Sequence, residues 1–243
     1  MMSARSNRAR AWAIVGGSVL LIGIVAVIVS AITGRTGTPS PTPSSTAGRA
    51  PTTTAPATGG VGEFVDANVT KKGWVPEPIT TDADTYIRAA LAAASTFDTT
   101  LSSREEWLTY LDTWLTPDTR YDESERNADL QSVKVELRQA VVIPQEQWDS
   151  LAQQNGRVTA KADSHIARQS VPADTTGDMT IGTADVALTT ISSDGSSGEL
   201  SYGETIRVSV QVLCGAGSIP TPNSAQRAGD CKIVRYFTEP LEP

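Results

Sequence analysis

The residues of this chain equipped for chemistry are few. His165 is its one histidine, and Cys214 and Cys231 are its two cysteines, in 243 residues. A thiolate nucleophile, a histidine and an arginine that stabilises an oxyanion together make a cysteine transpeptidase. His165, Cys214 and Arg227 or Arg235 occur in the order such a site would need. The local context argues against it. Cys214 lies in Val212-Leu213-Cys214-Gly215 rather than in the Thr-Leu-x-Thr-Cys setting of such enzymes, and Cys231 supplies a ready disulfide partner. His165 sits in the alternating run Asp163-Ser164-His165-Ile166, which reads as a solvent-facing strand histidine. One histidine with no cysteine beside it cannot complete a zinc site. No catalytic residue, cofactor site or metal site is therefore assigned. Cys214 and Cys231 are expected to form a structural disulfide, worth on the order of 3 kcal/mol for a loop of this length.

Two further groups carry chemical potential. Asp118, Asp122, Glu123, Glu125 and Asp129 form an acidic cluster that could offer carboxylate oxygens to a divalent cation. It lacks the glycine-punctuated spacing of a calcium loop and reads instead as a solvated connection. Trp107, Tyr110, Trp114 and Trp148 could line an apolar ligand pocket between helices and sheet, or fill that space as core. A polar cavity there would favour an enzyme or ligand-binding domain, and a filled one a scaffold.

The elements that position these residues begin with the segment that sets the compartment. Ala11–Ile32 is a run of 22 residues without a charged side chain. Roughly 20 apolar residues span a bilayer as a helix. Arg5, Arg8 and Arg10 precede the run and no acid occurs before Glu63, so the N-terminus is expected on the cytoplasmic side and everything after Ile32 outside. A cleavable signal peptide is the competing reading. Its apolar core would be roughly 7–15 residues, and Val29-Ser30-Ala31 is a weak cleavage site, so a retained single-pass signal anchor in the cell membrane is expected. Residues 33–62, rich in Thr, Pro, Ser and Gly, have no large apolar side chain apart from Val61 and read as a disordered tether. The expected organisation is then a cytoplasmic tail over 1–10, a transmembrane helix over 11–32, the linker over 33–62, an extended lead-in over 63–80 and an exported domain over 81–243.

All 27 acidic residues but only 15 of the 20 basic ones follow Val61, which gives the exported part twelve net negative charges. Such a surface disfavours nonspecific grip on nucleic acid or anionic lipid. Within the domain, Thr81 or Asp82 can cap a helix in which Ile87, Ala90, Leu91, Ala94, Phe97 and Leu101 recur at helical spacing. Ser102 with Glu105, or Ser103 with Glu106, forms a capping-box pattern that starts a second helix. That helix places Trp107, Tyr110, Leu111, Trp114 and Leu115 on one face and stops at Thr116-Pro117. Val133, Val135 and Leu137 alternate with polar residues as in a half-buried strand. A short helix is expected from Pro144 to Gln154 with Trp148 and Leu151 inward, ending at Asn155-Gly156. Strands follow near 157–171, 180–192, 204–214 and 232–238, with a hairpin turn at Asp194-Gly195 and Ser197-Gly198. Helices followed by strands imply an α+β domain, a curved antiparallel sheet with helices packed in its concave face.

This layout resembles the bitopic subunits of type IV secretion and conjugation channels, whose exported domains have the nuclear-transport-factor-2-like fold. The run Phe97-Asp98-Thr99-Thr100-Leu101-Ser102-Ser103-Arg104-Glu105-Glu106-Trp107-Leu108, continuing to Trp114-Leu115-Thr116-Pro117-Asp118, is similar to the second-helix region of actinobacterial conjugation-associated members. The resemblance implies a non-enzymatic assembly scaffold, with other membrane-complex proteins and further copies of itself as partners and no direct contact with nucleic acid. Lipid-importer-associated membrane proteins share the same anchor and fold, and a pocket-bearing ligand-binding domain is the other alternative.

Overall fold

The computed structural model describes residues 64–241. The anchor expected over 11–32 and the tether over 33–62 lie outside the described residues. Among the described residues no helix is long and apolar enough to cross a membrane.

Residues 64–80, expected as an extended lead-in, form a strap. Asp66 caps a 3-10 helix, Ala67–Lys72, which ends at Gly73 in the left-handed conformation. The strap then returns so that Phe64 bridges Pro78, and Val69 and Trp74 are buried in the core. Helix α1, Ala83–Ala93, is capped by the Asp82 carboxylate on the Thr85 amide and buries Tyr86, Ile87, Ala90 and Leu91. It stops short of the expected Leu101. Phe97 leaves the helical pattern to pair with Val158 as strand β1, Phe97–Asp98, and Leu101 is exposed. Helix α2, Arg104–Asp112, opens on a complete capping box between Ser103 and Glu106, the second of the two sequence alternatives, and buries Trp107, Leu108 and Leu111.

The strand expected around Val133, Val135 and Leu137 is helical. Helix α3 spans Glu123–Glu136 and continues as a π turn, Leu137–Val141. Val133 and Leu137 face inward four residues apart, whereas Val135 is exposed. A strand would have put all three on one face. Glu123 and Glu125 lie in the first turn of α3, where the helix dipole favours negative charge. Helix α4, Gln145–Gln153, buries Trp148 as expected.

The remaining strands are β2 (Arg157–Ala162), β3 (Ala167–Ser170), β4 (Met179–Ser193), β5 (Glu199–Leu213) and β6 (Lys232–Tyr236). They form one antiparallel sheet in the order β1-β2-β4-β5-β6, with β3 also paired to β4. The helices pack on the curved sheet, whose inward positions include Ala184, Val186, Val210, Val212 and Ile233. Gly182 permits the closest approach, since a Cβ there would lie 2.6 Å from Ile87 Cδ1 of α1. On the other face Val171, Met179, Ile181, Leu213 and Val234 make a smaller cluster under Phe237 and Leu241.

The sheet edges are treated unequally. At β6 the chain after α2 closes the edge, with the Ile233 amide donating to Trp114 O at 2.9 Å and the Thr116 amide to Ile233 O at 2.7 Å. Strand β5 pairs with β4 along its whole length, Glu199 to Leu213. It pairs with β6 only from Val210 to Leu213, and the Phe237 amide reaches Ser209 O. Among the described residues, no strand lies on the other side of Glu199–Val208.

Candidate functional site

The structure dissolves the transpeptidase constellation. Cys214 and Cys231 are joined, with an S–S distance of 2.03 Å, so no thiolate is present. His165 is exposed, in the turn between β2 and β3 rather than in a strand, and its amide donates to the Asp163 carboxylate. Arg235 faces Glu136 at 3.6 Å, and the Arg227 amide donates to the Asp230 carboxylate in the disulfide loop.

The acidic cluster is not one solvated patch. Asp118 is buried, and the Arg120 guanidinium bonds both its oxygens while donating to Pro172 O. Burial works to raise the Asp118 pKa, but the Arg120 hydrogen bonds and charge outweigh it and hold the carboxyl below its usual value. Asp122 starts α3, and burial pushes the Asp129 carboxyl up. Among the described residues, no group of three or more His, Cys, Asp or Glu side chains is arranged to hold a metal ion.

The aromatic residues that could have lined a pocket fill the space. Phe97 packs on Trp107 at 5.0 Å and on Trp148 at 4.6 Å between ring centroids, and Trp107 lies 5.8 Å from Trp148. Trp114 lies 5.7 Å from Tyr86 and 6.0 Å, edge-on, from Tyr110. Rings at these separations are in contact. One surface recess, of about 520 Å³, is lined by Gln131, Val135 and Gln139 of the α3–π segment with Thr238. A second, of about 270 Å³, lies between the end of α2 and Ile219–Pro222. Neither is lined by any of these rings.

What the structure assembles instead is a buried ionic knot that the sequence reading did not identify. The side chains of Glu77 and Lys232 are 0% and 1% exposed, with Lys232 Nζ 2.8 Å from Glu77 Oε1. The same carboxylate oxygen accepts from the Tyr86 hydroxyl at 2.6 Å and from Gln226 Nε2 at 3.0 Å. Lys232 also donates to Thr113 O at 2.6 Å and to Thr221 Oγ1 at 2.8 Å. An ammonium has three donors, so these three acceptors use them all. Thr113 follows the last residue of α2, where a cation meets the negative end of the helix dipole.

This chemistry is structural. A nucleophilic or basic lysine needs a free lone pair directed at a substrate, and Lys232 has neither a free donor nor an open side. Burial lowers its pKa while the Glu77 carboxylate pushes it back up. Burial, with the Glu77 charge beside it, holds the Tyr86 hydroxyl protonated well above the ordinary phenol range.

The knot fastens the strap to the rest of the domain. Trp74 stacks on Tyr110 of α2 at 5.0 Å, and its indole donates to Ser102 Oγ. The Tyr110 hydroxyl donates to Val75 O at 2.7 Å and accepts from the Glu77 amide at 3.0 Å. Lys72 pairs with Glu106 at 2.9 Å, and the Cys231 amide donates to Thr80 O at 2.8 Å. Strap, α1, disulfide loop and β6 therefore meet at the Glu77 carboxylate, and α2 joins them through Tyr110 at the Glu77 amide and through Thr113 O, just past its end, at Lys232. Glu77 was findable in the sequence as a lone charge between Pro76 and Pro78 in an otherwise apolar stretch, Trp74 to Ile79. Lys232 gives no comparable signal.

No protein-family model matches this sequence, and neither does any curated protein. Two solved structures are similar at low identity. One is CagV, a VirB8 homologue of the type IV secretion system of Helicobacter pylori, at 14% identity over 61% of this chain and 89% of that one, with a TM-score of 0.34. The other is an IcmL-like type IV secretion system protein of Legionella pneumophila, at 10% identity over 64% of this chain and 88% of that one, with a TM-score of 0.36. Scores this low assign this chain neither family nor role.

Proposed function

We propose that this protein is a membrane-anchored, non-enzymatic assembly subunit of a conjugation or type IV secretion apparatus. The observation that carries the reading is the closed interior. Phe97, Trp107, Trp114 and Trp148 occupy the space a ligand would need, and among the described residues the deeply buried ion pair is closed off from solvent, with every Lys232 donor taken by an internal partner. A domain of this kind acts through its surface. The layout supports the remainder: a basic tail, an apolar run long enough to span, and a Pro- and Thr-rich tether ahead of the domain. The tether runs into the strap, and the strap is fixed at Glu77, so a pull from the membrane reaches the core through defined contacts rather than a loose lead-in.

The test uses the intact gene in a cell whose transfer genes surround it. Deletion is expected to abolish DNA transfer. The full chain should restore it, and a chain lacking residues 1–32 should not. Unchanged transfer after deletion overturns the conjugation reading, and a mature chain starting near Ala31 in the medium overturns the anchor.

A further inference from the structure

The strap is held to the domain from two sides. Its Lys72–Trp74 stretch is fastened to α2 and the turn before it, through the Glu106 ion pair, the Tyr110 ring and the Ser102 hydroxyl. Its later part is fastened through the disulfide loop, residues 215–230. Gln226 donates to the Glu77 carboxylate at 3.0 Å, and Thr221 Oγ1 accepts from the Lys232 ammonium that pairs with Glu77. The Cys231 amide, at the end of the loop, donates to Thr80 O. Glu77 also fixes the start of the strap, because the Val65 amide donates to Glu77 O at 2.9 Å and Phe64 bridges Pro78. The entry of the chain into the domain therefore hangs on residues that the disulfide loop holds.

The loop contains neither a helix nor a strand of the sheet. Its shape is set by closure at Cys214–Cys231 and by side-chain bonds such as Gln226 Oε1 to the Thr221 amide and Thr221 Oγ1 to Thr113 O. Cutting the crosslink returns to the loop the closure entropy that had held those side chains in place. The long β4–β5 pairing, Met179–Ser193 on Glu199–Leu213, uses no residue of the loop.

We propose that the disulfide is the catch of the strap, and that a dithiol reductant opens it: with Cys214 and Cys231 reduced, residues 64–80 leave the core while the sheet stays folded. Cys231 is fully buried and Cys214 only partly so, so the incoming thiolate attacks Cys214 Sγ. The S–S bond breaks, and Cys231 leaves as a thiolate that takes up a proton. The second thiol of the reductant then resolves the mixed disulfide, releasing Cys214 and closing the reductant's own disulfide. Two electrons and two protons pass from the dithiol to the two cysteines. The loop no longer presents Gln226 and Thr221 to the ion pair, and losing hydrogen bonds to charged groups shifts the opening equilibrium by about tenfold or more. The inference rests on contacts within the domain and not on the apparatus the protein serves.

The lysines supply the test. The chain has five: Lys71 and Lys72 in the strap, Lys134 in α3, Lys161 in β2 and Lys232 in β6. Cleavage needs local unfolding around the bond, so a lysine-specific protease reads the strap and the rest of the domain separately. The full-length chain in detergent micelles is treated with dithiothreitol. It is expected to be cut after Lys71 or Lys72 about tenfold or more faster than the oxidised chain, leaving a persistent fragment uncut at Lys134, Lys161 and Lys232. Cys214→Ser with Cys231→Ser should be cut at the faster rate with or without dithiothreitol, and Gln226→Leu should be cut faster with its disulfide intact. The proposal is overturned if reduction leaves the strap cut at the oxidised rate, or if Lys161 and Lys232 are cut as fast as the strap. It is equally overturned if dithiothreitol accelerates the strap cut in the cysteine-pair variant, or if Gln226→Leu is cut no faster than the native chain.

Discussion

At its closed end the β4–β5 hairpin is covered on both faces, by the helices on one side and by Phe237 and Leu241 on the other. Toward its turn the same two strands carry an exposed Leu200, an exposed Tyr202 and a free edge. The closed end also holds the polar groups that are costliest to bury, since Lys232 lies opposite Leu213 and bonds Glu77. A carboxylate and an ammonium that lose water must be compensated by partners, and the bonds that five chain segments supply converge on Lys232 Nζ and Glu77 Oε1, while Glu77 Oε2 is buried with no hydrogen-bond partner among the described residues. The contrast separates two uses of one hairpin. One end fixes the arrangement of this chain, and the other keeps apolar side chains and a strand edge exposed.

The largest effect is expected at Lys232. Lys232→Met keeps the side-chain volume but leaves the Glu77 carboxylate buried without its cation. Breaking one partner of a buried pair typically costs about 3–5 kcal/mol, and urea unfolding of the full chain should show a loss of that size. The double variant Glu77→Gln with Lys232→Met should recover part of it, because the residual amide is cheaper to bury than an unpaired charge. The next effect down is covalent. Cys214 and Cys231 close a loop with a sequence separation of 17, and Cys214→Ser with Cys231→Ser should cost about 3 kcal/mol. The loss should match that produced by reducing the native protein, measured by the same unfolding curve.

Much of this fold was legible where a residue's periodicity had one meaning. Ile206, Val208, Val210 and Val212 alternate with polar residues, and β5 is where they place it. The Ser103–Glu106 pattern gives the start of α2 because the capping box is a local hydrogen-bond arrangement. Val133 and Leu137 fit both a strand and a helix, being four residues apart, and only Val135 tells the two apart by where it points. Phe97 reads as helical by spacing, yet its pairing with Val158 is a contact across more than half a hundred residues that no local pattern encodes. The disulfide was legible from cysteine count and compartment. The knot was not, because Lys232 is an ordinary lysine until Glu77, Thr113 and Thr221 are brought to it by tertiary folding.

Alkaline pH tests the closed end through its buried tyrosines. Burial and the Glu77 charge raise the Tyr86 hydroxyl, burial and Glu77 raise Tyr236, and burial raises Tyr110, all above the ordinary value of 10.0. A raised folded pKa means that the native state keeps a proton the unfolded chain gives up. Stability from these groups is therefore whole below pH 10.0 and falls as pH rises beyond it. The slope is about 1.4 kcal/mol per pH unit for each tyrosine. Lys232 acts with the opposite sign, because its folded pKa lies below 10.5 and the unfolded chain holds the extra proton between the two values. Three tyrosines outweigh one lysine, so stability should fall above pH 10.5. Phenolate absorbance from Tyr86, Tyr110 and Tyr236 should appear only with unfolding, and Tyr236→Phe should make the fall shallower by about one tyrosine's share. Absorbance from these three in the folded protein would place them outside the closed interior.

The smallest expected effect lies at the open end and serves as the internal control for the whole comparison. Val210 and Tyr202 belong to the same strand and the same face of the sheet, eight residues apart, but Val210 is buried and Tyr202 exposed. Val210→Ala removes two methyl groups from a packed site and should cost about 2 kcal/mol from lost transfer energy and the cavity left behind. Tyr202→Ser and Leu200→Ser remove larger groups, yet each should change stability by no more than about 0.5 kcal/mol, the range of surface substitutions that break no contact. The measurement is the urea unfolding midpoint of each variant against the native chain. A full cost for Tyr202→Ser would mean that the ring is packed within its own chain, and the open end would cease to be open.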